Sequence, residues 1–373
     1  TCRFLWKQVK FPTATDTSNT TTQVLKEGEV QGSDVAAHST GILDIKTTIL
    51  PNADALFLTA IDKYGHELWR WTFPVDKLNQ TNEVFSPLSG KATYSETENE
   101  LTVKAKNHTF IFSKRDGQLK GVSVNNHKIS FANGPRFIGA RRADRSLDQF
   151  YNHDDEKAKE KDRTYSEFPD AAVFTKLEVK EDGGNLIVTA NYKLGNLDKA
   201  QWTINPNGEA ALDYTYNFSG VVDLIGICFD YPEDQVISKR WLGAGPYRVW
   251  QNRIHGTQYD VWENDYNDPI PGETFTYPEF KGYFDSVSWM NIRTKEGTIS
   301  LTNETPDSYI GVYQPRDGRD RLLYTLPESG ISVLDVIPPV RNKVNSTDLC
   351  GPSSQPKWVN GPQTGRIIFR FME

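Results

Sequence analysis

The residues best suited to chemistry lie between Trp241 and Asn267, WLGAGPYRVWQNRIHGTQYDVWENDYN. Trp241, Tyr247, Trp250, Tyr259, Trp262 and Tyr266 occur there, with Arg248, Arg253, His255, Asp260 and Glu263 between them. Flat aromatic faces stack on pyranose rings, and forked guanidinium and carboxylate groups hydrogen-bond sugar hydroxyls. Gly243, Gly245 and Pro246 argue against a helix or a central strand. The stretch is therefore expected to be an irregular loop between strands, where a rigid β-scaffold commonly carries its binding residues. The same composition also suits a packed loop whose rings plug the end of a sandwich. The two readings differ in whether the rings are open or buried.

A second segment, Thr276–Trp289, reads TYPEFKGYFDSVSW. Tyr277, Glu279 and Lys281 have strand spacing and would share one face, and Tyr283 and Trp289 follow. Glu279 could act as an acid or base in a sugar pocket, with Lys281 tuning its pKa. The alternative is an ordinary Glu–Lys pair on an exposed face. The candidate substrate-binding residues are thus Tyr247, Arg248, Trp250, Arg253, Trp262, Tyr277, Glu279, Lys281 and Tyr283. No catalytic residue is assigned, although Glu279 and His255 are the groups an acid–base reaction would use.

Asp144, Asp148, Asp154 and Asp155 cluster in a charged stretch and could hold a structural calcium or sodium ion. No Asp-x-Asp-x-Asp-Gly loop accompanies them, so a solvated loop is the competing reading. No other cofactor is expected. The chain has no Gly-x-Ser-x-Gly elbow, phosphate loop or His-Glu-x-x-His. Gly243-x-Gly245 lacks the strand-to-helix context of a dinucleotide site. The six histidines show no ligand spacing.

The elements that must position these residues read as strands. Val24–Val30, Gly41–Leu50, Ala55–Asp62 and Glu67–Pro74 alternate or form short apolar runs, and Lys63–His66 makes a hairpin turn. Residues 1–78 therefore have the size of a small β-sandwich, with few strands for a complete one. A polar linker is expected at 79–91. From 92 to 373 strands follow in quick succession, among them Glu100–Lys106, Leu119–Val124, Leu186–Tyr192, Ala211–Phe218, Val287–Arg293 and Arg366–Phe371. Ala140–Glu167 breaks the pattern as a charged loop. No strand–helix–strand alternation appears, which excludes a (β/α)8 barrel.

Composition narrows the partners. A net charge of −7 and a pI of about 5.5 argue against nucleic acid. No apolar stretch approaches the roughly 20 residues of a membrane span, and no basic amphipathic helix suggests an anionic membrane. Nine Trp, 16 Tyr and 19 Phe can supply a core despite 37% hydrophobic residues. Cys2, Cys228 and Cys350 are too few and too scattered for a disulfide framework or a zinc site, though one disulfide is compatible with them.

Trp241-Leu242-Gly243-Ala244-Gly245-Pro246 resembles the Trp-[Phe/Tyr]-Gly-x-Gly-Pro signature of the C-terminal domain of family 2 glycoside hydrolases of the β-galactosidase type. Asn99–Lys120 resembles that domain's opening hairpins. Tyr277–Gly282 with Val287-x-Trp289 resembles its Pro-x-Glu-x-Gly segment, and Thr364–Phe371 its closing strand. The order of these motifs is kept from about residue 92 to 373. The resemblance implies an all-β chain: a small immunoglobulin-like β-sandwich, then a large galactose-mutarotase-like β-supersandwich. It also implies a non-catalytic, carbohydrate-binding part that completes the active site of an upstream (β/α)8 catalytic domain. That domain and a glycan would be its partners, and a bacterial periplasm or secretion its location. The chain alone is then expected to be inactive.

After Gly-Pro the family pattern x-Glu-x-Tyr-x-Asp-Arg is only partly kept. Arg253 matches, but Arg248, Trp250 and Asn252 stand where Glu, Tyr and Asp are expected. A cation in place of a carboxylate changes which sugar group can be recognised, so the sugar is left open. Two alternatives stand beside this reading. One is an independent mutarotase-like epimerase using His255 or His153 with Glu279. The other is a structural cap or the remnant of a polysaccharide lyase.

Overall fold

The computed structural model describes residues 2–16, 20–75, 90–142, 165–265, 282–305, 307–312, 327, 329–339 and 351–373. The described residues form strands and two short 3-10 turns. The first four strands are β1 (Arg3–Lys10), β2 (Gln23–Gln31), β3 (Ala55–Ile61) and β4 (Glu67–Pro74). Then come β5 (Thr93–Glu96), β6 (Glu100–Ala105), β7 (His108–Ser113), β8 (Leu119–Val124), β9 (His127–Ile129), β10 (Ala132–Arg142) and β11 (Tyr165–Glu167). Next are β12 (Val173–Asp182), β13 (Asn185–Lys193), β14 (Leu197–Ile204), β15 (Ala210–Val222), β16 (Leu224–Asp230), β17 (Val236–Gly245) and β18 (Gln258–Asn264). The last are β19 (Phe284–Asp285), β20 (Trp289–Thr294), β21 (Gly297–Asn303), β22 (Tyr309–Val312), β23 (Ile331–Val336) and β24 (Lys357–Met372). No helix among these residues is long and apolar enough to cross a membrane.

Two large sheets make the supersandwich. One has nine strands in the order β12-β13-β14-β15-β24-β21-β20-β17-β18. The other has eleven, with the path β19-β22-β23-β16-β10-β8-β7-β6-β5, β11 on β10 and β9 on β8. Period-two burial explains the stacking. In β13, Leu186, Val188 and Ala190 are buried while the residues between them are half-buried. The inward faces meet in an aromatic-rich core, where Phe131 stacks on Phe229 with ring centres 4.6 Å apart and packs on Phe369 at 5.1 Å. β16, LIGICFD, is buried on both sides. Ile225, Ile227 and Phe229 enter this core, whereas Leu224 and Cys228 enter a second apolar cluster on the outer face.

The N-terminal strands form one four-stranded sheet, β2-β1-β3-β4. Its inner face packs on β17, β18 and β20 through Val9, Phe11, Ala55, Phe57, Leu242 and Trp289. Polar contacts fix the seat. Trp289 Nε1 donates to the Pro12 carbonyl at 3.0 Å and Asn291 Nδ2 to the Ala14 carbonyl at 2.9 Å. Asp260 accepts from Thr22 Oγ1 at 2.8 Å and pairs with Arg70 at 3.0 Å.

Several expectations are corrected here. Arg3–Lys10 is a strand that the sequence pattern left unassigned. Gly41–Leu50 is not a strand, although its alternation reads as one. Lys46 has a left-handed φ of 48°, which breaks the extended run, and the segment crosses the sheet face instead. The Gln8 side chain holds it there, donating to the Thr48 carbonyl at 2.8 Å and accepting from Leu50 N–H at 2.8 Å. The described strands of the N-terminal region lie in one sheet. Both ends of the charged stretch Ala140–Glu167 are strands, since β11 pairs with the end of β10. Its centre, with Asp144, Asp148, His153, Asp154 and Asp155, lies outside the described residues. So do positions 79–89 of the linker. Cys2 and Cys228 are free thiols, and Cys350 lies outside the described residues.

Candidate functional site

Trp241–Asn267 is only partly irregular, with two strand segments among its described residues. Its first five residues end β17, a strand inside the nine-stranded sheet, and Gln258–Asn264 is β18, which pairs with it from Lys239↔Asn264 to Gly245↔Gln258. The glycines serve close approach, not irregularity. A Cβ on Gly245 would stand 2.5 Å from the Trp262 ring, and one on Gly243 would stand 3.0 Å from the Val287 backbone. The Trp262 ring is half-buried in this seat and donates from Nε1 to the Gln258 carbonyl at 3.0 Å. Tyr259 and Asp260 face the N-terminal sheet. Phe11 meets the Tyr259 ring edge-on at 5.6 Å, and Thr72 Oγ1 donates to the Tyr259 carbonyl.

Between these strands, Pro246–Thr257 folds over the outer face of the eleven-stranded sheet. Val249 and Tyr283 exchange two backbone hydrogen bonds at 2.8 and 2.9 Å. Gln251 N–H donates to the Pro338 carbonyl, and its side-chain amide donates to the Gln355 carbonyl at 2.7 Å. Trp250, 2% exposed, meets Tyr283, 1% exposed, edge-on at 5.5 Å. Both belong to the outer cluster with Ile138, Cys228 and Leu334. Neither ring has a free face, so their expected role as sugar-stacking platforms is corrected. The outer sheet face under them is apolar, and the rings are what cover it.

Other candidates keep access. Tyr247 is 69% exposed, and Arg253 and His255 are exposed. Arg248 is half-buried, with its guanidinium 5.4 Å from the Phe284 ring centre. Tyr277, Glu279 and Lys281 lie outside the described residues, and with them the suggested pairing of His255 or His153 with Glu279. No group of three or more His, Cys, Asp or Glu among the described residues could hold a metal ion.

The structure also assembles a polar group that sequence reading missed. Arg136 on β10 pairs with Asp230 on β16 at 2.5 Å, and Asn133 Nδ2 donates to the other Asp230 oxygen at 2.7 Å. Lys120 on β8 reaches Asn133 at 3.3 Å and Asp116 at 2.9 Å. Arg136 Nη2 also lies 3.7 Å from the Cys228 thiol, which joins this array to the cluster holding Trp250 and Tyr283. Burial pushes that thiol up to about 11, so it stays protonated and unreactive at neutral pH. The ion pair is partly exposed, which leaves charged donors and acceptors available to a polar ligand. The only local signal was the alternation in Ala132–Arg142, interrupted by Gly134-Pro135.

One buried acid lies elsewhere, where the two large sheets meet. Asp335 on β23 accepts a hydrogen bond from the Tyr216 hydroxyl on β15. Burial pushes the Asp335 carboxyl above the usual carboxylate range, and the Tyr216 hydroxyl is raised as well.

Among solved structures, the chain is similar to galactose 1-epimerase from Lactobacillus acidophilus NCFM, at 11% identity and a TM-score of 0.43. That similarity covers 76% of this chain and 99% of the epimerase. It is also similar to a galactose mutarotase-like protein from Lactobacillus casei ATCC 334, at 12% identity, with 75% and 99% covered and a TM-score of 0.31. An aldose epimerase homologue from C. elegans gives 9% identity, 76% and 99% coverage and a TM-score of 0.33. No curated protein matches the sequence. Residues 104–328, more than half of the chain, match the family model described as β-galactosidase small chain. That span runs from the opening hairpins through the Trp241–Pro246 motif, and the resemblance those motifs carried is borne out: this chain belongs to the β-galactosidase small chain family.

Proposed function

We propose that the chain is the non-catalytic, carbohydrate-binding C-terminal part of a β-galactosidase-like glycoside hydrolase, and that it completes an active site built on a separate (β/α)8 barrel. The observation that carries the reading is the family match over 104–328 in a chain whose described strands pair only as antiparallel sheets. Most glycosidases need two carboxyl groups flanking the scissile bond, and among the acids in the described part of the Trp241–Trp289 region Asp260 is already tied to Thr22 and Arg70. Tyr247, Arg253, His255 and the Arg136–Asp230–Asn133 array are the accessible groups for sugar hydroxyls. Tyr277, Glu279 and Lys281 belong to the same proposal. A bacterial periplasm or the extracellular space is the compartment this role implies.

Calorimetric titration of the pure chain with galactose, lactose and longer galactosides tests the binding half. Binding to at least one of them, weakened by Arg136→Ala, is expected. Nitrophenyl glycosides test the other half, and hydrolysis of any of them by the pure chain would sink the non-catalytic reading. Faster loss of optical rotation from fresh α-galactose would favour an epimerase instead.

A further inference from the structure

β15 and β24 outrun their neighbours. β14 stays beside β15 only to Tyr216, and β21 joins β24 only from Ile367 onward. Residues 217–222 and 357–362 therefore pair with each other alone among the described residues, as a two-stranded ribbon. The inward side of this ribbon is anchored. The Phe218 ring stacks on Phe137 at 6.1 Å and packs on Phe168 at 5.1 Å, and Val359 packs against the core. Alternation turns the residues between outward, and Trp358, Asn360, Pro362 and Thr364 are all exposed. At 68% exposure, Trp358 is the most open of the nine tryptophans.

What surrounds the ring decides what it suits. Across the ladder, Val221, Ser219, Asn217 and Thr215 stand opposite these four residues. The chain is 24% charged, yet none of these positions carries a charge. Lys199 on β14 borders only the far end, beside Thr215. The next rung is charged but closed on itself, with Arg366 on both Asp213 oxygens at 2.8 and 2.6 Å and on Glu304 at 2.9 Å. Ser219 Oγ donates to the Asn360 side-chain oxygen at 2.9 Å, which fixes that amide and leaves its nitrogen as a donor.

The centre of a protein–protein interface is apolar, whereas this strip sets one large ring among hydroxyls and amides. A neutral sugar chain has the matching pattern, apolar C–H faces edged by hydroxyls that both donate and accept. From Trp358 to Thr364 the strip is about 20 Å long at the rise of a β-strand, which is room for several pyranose rings. It starts near the 246–257 segment, whose Gln251 side chain donates to the Gln355 carbonyl at 2.7 Å. We propose that the strip is a second carbohydrate-binding surface. It takes a neutral polysaccharide, with one ring stacked on Trp358 and the following rings hydrogen-bonded by Asn360, Asn217 and Thr364. A sugar as the ligand rests on the reading under Proposed function, while its place and its lack of charge rest on the strip.

Calorimetric titration of the pure chain with galactose, lactose and soluble galactan, galactomannan and xyloglucan tests this. At least one polymer is expected to bind, and more tightly than galactose. Trp358→Ala should weaken polymer binding by about tenfold or more, the loss that follows removal of one aromatic stacking platform. Trp358→Phe should restore part of it. Tyr64→Ala removes a ring of 73% exposure from a hairpin turn and should change nothing. Thermal unfolding should be the same in all three variants. Polymer binding that survives Trp358→Ala, or that falls equally in Tyr64→Ala, overturns the strip and leaves the functional reading standing. So does binding of galactose or lactose with no polymer bound. Failure to bind any of these sugars overturns both.

Discussion

Trp202 and Trp71 sit on strands of similar pattern and have opposite fates. Trp202, in the supersandwich, is 1% exposed, with the rings of Phe112, Phe229 and Phe369 at 6.1, 6.0 and 5.9 Å. Trp71, in the N-terminal sheet, is 41% exposed on the half of a face that Gly41–Leu50 leaves open. Alternation makes both faces apolar. It does not say what lies above them. In the supersandwich the second sheet comes from the same described chain, so the aromatic payload becomes stability. In the N-terminal sheet that happens on one face only, and the rings on the other stay partly exposed.

The sharpest test of this contrast is a pair of truncations. Trp202→Ala should cost about 3–5 kcal/mol, because it empties a packed aromatic site. Trp71→Ala should stay within about 0.5 kcal/mol in the isolated chain. Equal losses in urea unfolding would erase the distinction between the two regions.

The seam between the regions comes next. Asp260→Ala removes the acceptor of Thr22 and the partner of Arg70, whose side chain is only 20% exposed. A loss of about 1.5–3 kcal/mol is expected for a charged hydrogen-bonded group of this kind. Hydrogen exchange should quicken in β1–β4 and stay slow in β13–β15. Unchanged exchange in β1–β4 would mean that the apolar cluster alone holds the seam.

The smallest effect concerns pH. Because burial raises the Asp335 carboxyl, the folded chain keeps this proton where the unfolded chain has lost it. That contribution is complete below the ordinary carboxylate pKa and is lost as pH rises through the raised value. Asp335→Asn, which keeps an acceptor for Tyr216, should therefore match the wild type in acid and melt a few degrees higher at neutral pH. A variant that melts lower at neutral pH would show that the ionised carboxylate is the stabilising form.

Much of this protein was legible in the sequence. The hairpin at Ala55–Pro74, the strands from Glu100 to Val124 and the Trp241–Pro246 motif follow from local periodicity, turn residues and a short pattern, all of which survive in one dimension. They determined the all-β class, the family and the absence of a barrel pattern. Tertiary structure decided the rest, since each remaining question depended on residues far apart in sequence. Gly243 and Gly245 looked like loop residues until the Val287 backbone and the Trp262 ring took up the space beside them. Trp250 and Tyr283 looked like sugar platforms until they closed over an apolar sheet face. Arg136 and Asp230 are 94 positions apart, and no local spacing announces such a pair. Gly41–Leu50 carries the alternation of a strand, but Lys46 turns left-handed within it and the distant Gln8 side chain holds it across the sheet face.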